Sequence, residues 1–180
     1  MTTATLLATM LLAPAGLGAQ PVAEEARAEF DRMAWLLGEW RVEAKIRNSP
    51  NSYLEGSGTM SVRLDEDGET FLADMDIAFE GFDVVGTTVR RYNPERELWE
   101  IAWVSKVGGE PHIEGHFVDG RLVEINWGSD ARGAFIGRLV KRNISADRFV
   151  VRKDRLYDDG TVVPETWVYE ATRVSEPGAD

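Results

Sequence analysis

The stretch "FDRMAWLLGEWRVEAKI" (residues 30–46) changes its hydrophobic period partway along. Up to Leu37 the apolar residues recur at helical intervals, and after Gly38 they alternate one by one with charged residues. Glycine tolerates the positive φ that commonly ends a helix, and Gly38 directly follows the helical segment. The sequence therefore predicts a short amphipathic helix over residues 22–37, followed by a β-strand that begins at a Gly-x-Trp.

Strand-like runs with alternating apolar and polar residues cover the rest of the chain, about ten in number. Turn sequences separate them, such as the Asp-Gly at 67–68 and the Asn-Pro at 93–94. Connections this short make neighbouring strands antiparallel, because a parallel crossover needs about a dozen residues or more. An open meander of this size would expose two edges, which closure removes. We therefore predict an all-β fold, a closed antiparallel up-and-down β-barrel of about ten strands over residues 38–174.

Composition limits the function classes that the chain can belong to. With 180 residues, 43% of them hydrophobic and 28% charged, the chain is ordinary for one soluble globular domain. Its formal net charge of −11 disfavours nucleic acid, whose phosphates need clustered Lys and Arg. The absence of Cys from the sequence excludes disulfides, thiol nucleophiles and cysteine metal sites.

The first residues predict export. Residues 1–21, "MTTATLLATMLLAPAGLGAQP", contain no charged side chain, and an apolar run at 6–12 is followed by proline and small residues. This pattern is typical of a secretory signal peptide over residues 1–19, and the alternative is a loosely packed N-terminal extension. The apolar run is shorter than the roughly 20 residues that span a bilayer, so we expect no membrane insertion after cleavage. We expect a periplasmic or secreted protein with a flexible tail at 175–180.

Uniformly apolar strand faces predict which side chains point into the barrel. On three strands they are Phe71, Ala73, Met75, Ile77, Trp99, Ile101, Trp103, Val123, Ile125 and Trp127. A slip of one residue would reverse each assignment. The strands that contain Arg90 and Arg138 have no such face, so either arginine could point inside.

An aromatic inner face predicts a binding site for a small apolar or aromatic molecule. Its lining would consist of Met75, Trp99, Trp103, Trp127, Trp167 and Tyr169. The alternative is that these large side chains fill the barrel. Glu165 shares a face with Trp167 and Tyr169, and a buried carboxylate requires a partner, which Arg90 or Arg138 could supply. Such a pair could anchor a ligand head group, serve only the fold, or be absent because Glu165 points outward. We expect no cofactor, and the sequence leaves the oligomeric state open.

The short helix that leads into Gly38-Glu39-Trp40, at the first strand of an antiparallel barrel, resembles the lipocalin and wider calycin pattern. The phrases "WLLGEW", "RYNPERELWEIAWV" and "GHFVDGRLVEI" resemble a bacterial lipocalin-like family of secreted proteins without assigned activity. In lipocalins the tryptophan closes the floor of the barrel, and an arginine at the end of the last strand packs across it. The resemblance gives that position to Arg173, with Gly38 and Trp40 as the other structural floor residues.

The two histidines raise a competing hypothesis. His112, Glu114 and His116 share one face of a strand and could converge on a metal or act as acid and base. The opposite face is more apolar, so we expect the triplet on the outer wall and predict no metal site. An enzyme that uses this triplet, or an inward Glu165 with an arginine, is the alternative to ligand binding. Ten strands also make the chain similar to nitrobindin-type haem barrels, but no histidine follows His116 to hold iron.

Overall fold

The computed structural model describes residues 19–106 and 108–174. Its helices are α1 (Ala19–Met33) and a 3₁₀ turn (Ala34–Leu36). Its strands are β1 (Gly38–Ser49), β2 (Ser52–Leu64), β3 (Thr70–Phe79), β4 (Phe82–Asn93), β5 (Leu98–Ser105), β6 (Gly108–Val118), β7 (Arg121–Asp130), β8 (Gly133–Ser145), β9 (Arg148–Tyr157) and β10 (Val162–Arg173). The predicted tail and the predicted signal peptide, except Ala19, lie outside the described residues.

The ten strands form one closed barrel in which every strand pairs antiparallel with its neighbours in the chain. The barrel closes between β1 and β10, over pairs that run from Trp40 opposite Arg173 to Ile46 opposite Trp167. The predicted closed antiparallel barrel is therefore confirmed. Closure leaves none of these ten strands with an unpaired edge.

The helical segment closes one end of the barrel. α1 begins three residues before the predicted start, and it ends at Met33, where the 3₁₀ turn takes over. Met33 and Leu36 are fully buried, and the ring of Phe30 lies 5.0 Å from that of Phe71. The apolar stripe of the helix thus packs on the barrel interior. None of the described helices has the length and apolar character needed to cross a bilayer.

The floor of the barrel is built around Trp40, which is buried and donates from its indole Nε1 to the carbonyl oxygen of Leu36 at 2.8 Å. The guanidinium of Arg173 lies 4.2 Å from the centre of the Trp40 ring and donates to the carbonyl oxygen of Leu37 at 2.7 Å. Gly38 has φ +119°, and a Cβ there would lie 2.5 Å from Nη1 of Arg173. Only glycine leaves room for this arginine without backbone strain.

Candidate functional site

A cavity of about 230 Å³ lies inside the barrel, in the part that α1 does not fill. Six apolar side chains line it: Met75, Val84, Trp103, Ile113, Leu139 and Trp167. Tyr169 lines the cavity from β10 and packs on Phe149, whose ring in turn lies 4.8 Å from that of Trp40 in the floor. The interior therefore holds a filled floor and an open upper part.

Alternation along β3 and β5 builds one side of this cavity. Met75 follows Phe71 and Ala73 on the inner face of β3, all three buried. Trp103 lines the cavity from β5, whereas Trp99 lies lower and is fully buried. Trp99 packs edge-on against Phe71 and donates from Nε1 to Glu29 of α1 at 3.2 Å. Trp99 thus belongs to the floor and not to the cavity wall.

The inward orientation predicted for β7 is wrong. Trp127 is 57% exposed and lies opposite Ile136 on the outer wall, and Val123 and Ile125 share that outer face. The inner face consists of Leu122, Glu124 and Asn126, each at most 4% exposed. Polar residues can occupy it because cations from other strands meet Glu124, which makes a buried carboxylate stable.

Glu165 does not face the cavity. It has φ +51°, and the pairing of β10 with β9 shifts register between Val163 and Trp167. This bulge turns its carboxylate toward Arg152, 3.4 Å away on the exposed surface. Arg138 also points outward and pairs with Asp154 at 2.9 Å. Of the alternatives left open for Glu165, the outward orientation is the one found, and its assignment as a ligand-binding residue is wrong.

Of the two arginines that the sequence left open, Arg90 points inward and belongs to a buried charged cluster centred on Glu124. Glu124 Oε1 accepts hydrogen bonds from Arg90 Nε at 3.2 Å and from Lys141 Nζ. The three side chains come from β4, β7 and β8, and each is at most 5% exposed. All three line the cavity. Glu124 and Lys141 were not among the predicted site residues, although Lys141 follows Phe135, Gly137 and Leu139 in the alternation of β8.

Burial and charge shift the pKa values in this cluster. Burial alone would raise the pKa of Glu124, but Lys141 and Arg90 outweigh it and lower the pKa to about 2. Burial lowers the pKa of Lys141 to about 7, Glu124 opposes this effect, and Arg90 adds to it. Burial raises the pKa of Tyr169, which lines the cavity beside the cluster. The carboxylate is therefore held ionised, while the lysine is poised to lose its proton.

A second ion pair, Lys153 with Glu110, also lines the cavity and is less buried than the cluster. Lys153 Nζ donates to Glu110 Oε1 at 3.1 Å, and the Glu110 side chain is 40% exposed. The cavity therefore has three cations and two carboxylates, a sum of +1 when Lys141 is protonated. The surplus lies in the buried cluster, because Lys153 and Glu110 balance each other.

The histidine triplet lies on the outer wall. His112 and His116 are exposed, and Glu114 pairs with Arg96 at 2.6 Å. Within residues 19–106 and 108–174, no group of three His, Cys, Asp or Glu side chains is placed to hold a metal ion. The geometry brings neither set of residues named for the enzyme hypothesis into the cavity.

No protein-family model and no curated protein matches the chain. Nine chains of solved structures match it. One is the S-type phycobiliprotein lyase CPES from Guillardia theta, with a TM-score of 0.60 and 13% identity over 86% of this chain and 97% of that one. Another is a protein of unknown function of the DUF3598 family from Nostoc punctiforme, with a TM-score of 0.49 and 18% identity over 79% of this chain. This chain spans about half (49%) of that second protein.

The likeness to the lyase shows a shared lipocalin-like barrel fold. At 13% identity it concerns the architecture alone. Met75, Trp103, Trp167 and Tyr169 are the four predicted ligand-binding residues that line the cavity. The candidate site consists of these four side chains and the cluster around Glu124.

Proposed function

We propose that this protein binds a small, largely apolar molecule in the cavity of its barrel. The observation that carries the proposal is a space of about 230 Å³ with Trp103 and Trp167 in its wall. Clefts lined by apolar and aromatic side chains, with a few polar groups for orientation, are the usual form of small-molecule sites. The phycobiliprotein lyase with the same barrel supports the architecture of a container and leaves the ligand to be identified.

The volume sets the size of the molecule. An engineered cavity of about 150 Å³ binds benzene, so the 230 Å³ found here suits about ten non-hydrogen atoms. A single aromatic ring with a short side chain, or a medium-length alkyl chain, meets this limit. Larger planar molecules would require Trp103 or Trp167 to move.

Native mass spectrometry of the protein purified from its own host tests the proposal directly. We expect an adduct of constant mass that is lost on denaturation. A thermal-shift screen with single-ring and medium-chain compounds should then raise the melting temperature. If no adduct is found and no such compound raises the melting temperature, binding in the cavity is refuted.

We also propose that the protein is exported to the periplasm or secreted. The support is the uncharged apolar segment at residues 1–19. Cleavage after Ala19 would leave residues 20–33 of α1 to close the barrel.

Export is tested by expressing the full-length sequence in a Gram-negative host and measuring the intact mass of the protein in the periplasmic fraction. We expect the mass of a chain that begins near Gln20. A Leu11→Arg variant interrupts the apolar run and should keep its full mass in the cytoplasm. Cytoplasmic protein of full mass from the unmodified sequence would contradict export.

A further inference from the structure

The charge of the buried cluster does not balance. Arg90 and Lys141 share the single carboxylate of Glu124, and all three side chains are at most 5% exposed. An excess charge in a cavity wall is costly to leave without a counterion. With Lys141 protonated the cluster therefore carries a surplus of +1, which an anion bound inside the barrel would neutralise.

Hydrogen-bond donors face the place where that charge would lie. Among the described residues Arg90 donates only from Nε, so Nη1 and Nη2 have no acceptor there. The hydroxyl of Tyr169 likewise has no hydrogen bond to a described residue, although Tyr169 is 5% exposed and lines the cavity. Among the described residues Arg155 Nε is the one enclosed side-chain atom without a partner, so the free donors of Arg90 and Tyr169 open onto the cavity, where water or a bound ligand can accept from them.

The chemistry of these donors selects the acceptor. A guanidinium with two unused Nη groups matches the two oxygens of a carboxylate, and a hydrogen bond to a charged group is stronger than one to a neutral group. The aromatic walls at Trp103 and Trp167 are beside this polar corner in the same cavity. A molecule with an apolar body and one acidic end would meet both surfaces.

We infer that the ligand is a small aryl or alkyl carboxylate, bound with its carboxylate against Arg90, Lys141 and Tyr169 and its apolar part against Trp103 and Trp167. The inference rests on the proposed function of this cavity. It specifies the chemical class of the ligand, which that function leaves open.

Matched acids and amides test it on the unmodified protein. Phenylacetate is compared with phenylacetamide, and octanoate with octanamide, by isothermal titration calorimetry in low-salt buffer. The members of each pair have the same shape and differ in charge. We expect each acid to bind about tenfold or more tightly than its amide, because the charged hydrogen bonds form only with the acid.

Variants locate the charge that makes the difference. Arg90→Met and Lys141→Met each leave Glu124 with one cation. In either variant the acid and the amide should therefore bind with about equal affinity. Arg90→Lys keeps the charge but loses the paired Nη donors, so it should keep only part of the preference. Arg138→Met removes a cation from the outer wall of the same strand as Lys141 and should leave the preference unchanged.

The outcomes separate the two proposals. Equal binding of acid and amide, or tighter binding of the amide, overturns the inference and leaves binding in the cavity intact. Binding of neither member of either pair also overturns the inference, and the adduct and thermal-shift experiments then decide separately whether the cavity binds another molecule. A preference for acids that survives Arg90→Met and Lys141→Met also overturns the inference, because the anion would then lie elsewhere. The comparison on unmodified protein decides the class of ligand even if a variant fails to fold.

Discussion

Glu124→Gln should be among the most destabilising single substitutions in this barrel. It leaves two cations, Arg90 and Lys141, buried at 4% and 2% exposure without the carboxylate that they share. Removing one partner of a buried ion pair typically costs about 3–5 kcal/mol. With total stabilities of about 5–15 kcal/mol for folded proteins, this is a large share of the free energy of unfolding. The side chain keeps its shape, so packing changes little.

Lys141→Met is the matched substitution in the same cluster. It leaves Arg90 and Glu124 as a balanced pair and replaces a buried cation with an apolar side chain of similar length. We expect the free energy of unfolding to change by about 1 kcal/mol or less, or to rise. Combining Glu124→Gln with Lys141→Met should recover part of the loss, since only one unpaired cation then remains.

Urea unfolding followed by tryptophan fluorescence and far-UV circular dichroism measures all of these changes. Glu170→Gln serves as the surface control. It breaks a pair with Arg148 whose side chains are 40% and 51% exposed, and it should cost less than about 1 kcal/mol. If Lys141→Met costs as much as Glu124→Gln, or if the double variant is no better than the single one, the reasoning about surplus positive charge is wrong.

The same carboxylate gives a pH signature with a defined sign. The pKa of Glu124 is lowered from 4.5 to about 2 in the folded state, so its stabilising contribution is fully present above pH 4.5 and is lost as the pH falls to about 2. The difference in stability between the parent protein and Glu124→Gln should therefore narrow over this range. A difference that stays constant from neutral to strongly acidic pH would show that Glu124 is not held ionised.

Three further predictions concern the floor and the cavity. Gly38→Ala should lower the free energy of unfolding in urea by about 2–4 kcal/mol, because φ +119° is strained for alanine and a Cβ would displace the arginine that covers the floor. Its control is Gly120→Ala, which has φ +73° and open space around it and should lower that free energy by about 1 kcal/mol. Trp103→Ala should weaken phenylacetate binding at least about tenfold in calorimetry, whereas Trp127→Ala, on the outer wall, should leave it unchanged; equal effects would mean that the ligand lies outside the cavity. Because the pKa of Lys141 is lowered to about 7, mainly by burial, phenylacetate affinity should fall as the pH rises through 7, and a flat profile would argue against this lysine as a contact.

The topology could be predicted from sequence because its signals are local. Turn residues such as Asn93 and Gly120 end the strands, and alternation on β3 and β5 identifies inner faces that are apolar throughout. The orientation of Met75 and Trp103 follows directly from that alternation. No information from distant strands was needed for these residues.

The orientation of β7 could not be predicted in the same way. Its inner Glu124 is stabilised by Arg90 and Lys141, which lie 34 and 17 residues away in the sequence. A rule that turns apolar residues inward places Trp127 inside the barrel. The sequence of β7 alone does not show the cations that stabilise Glu124, because they belong to other strands. The charged centre of the candidate site was missed for the same reason.

The bulge on β10 carried a signal that alternation alone overlooks. Pro164 has no N–H to donate to a strand ladder, and proline inside a strand often marks a bulge or an edge. The next residue, Glu165, takes φ +51° and leaves the alternation. After a proline in the middle of a predicted strand, alternation is therefore not a sound basis for assigning the next residue to the inner or outer face.

The pairing of β1 with β10 also constrains how the chain can be made. Residues 40 and 173 must meet before the sheet is complete, so a polypeptide still emerging from the ribosome carries two bare strand edges until its last segment is released. During that interval β1 and β9 can pair with strands of other nascent chains. A chain truncated before β10 should accordingly accumulate as insoluble aggregate, even though most of its core residues have already been synthesised.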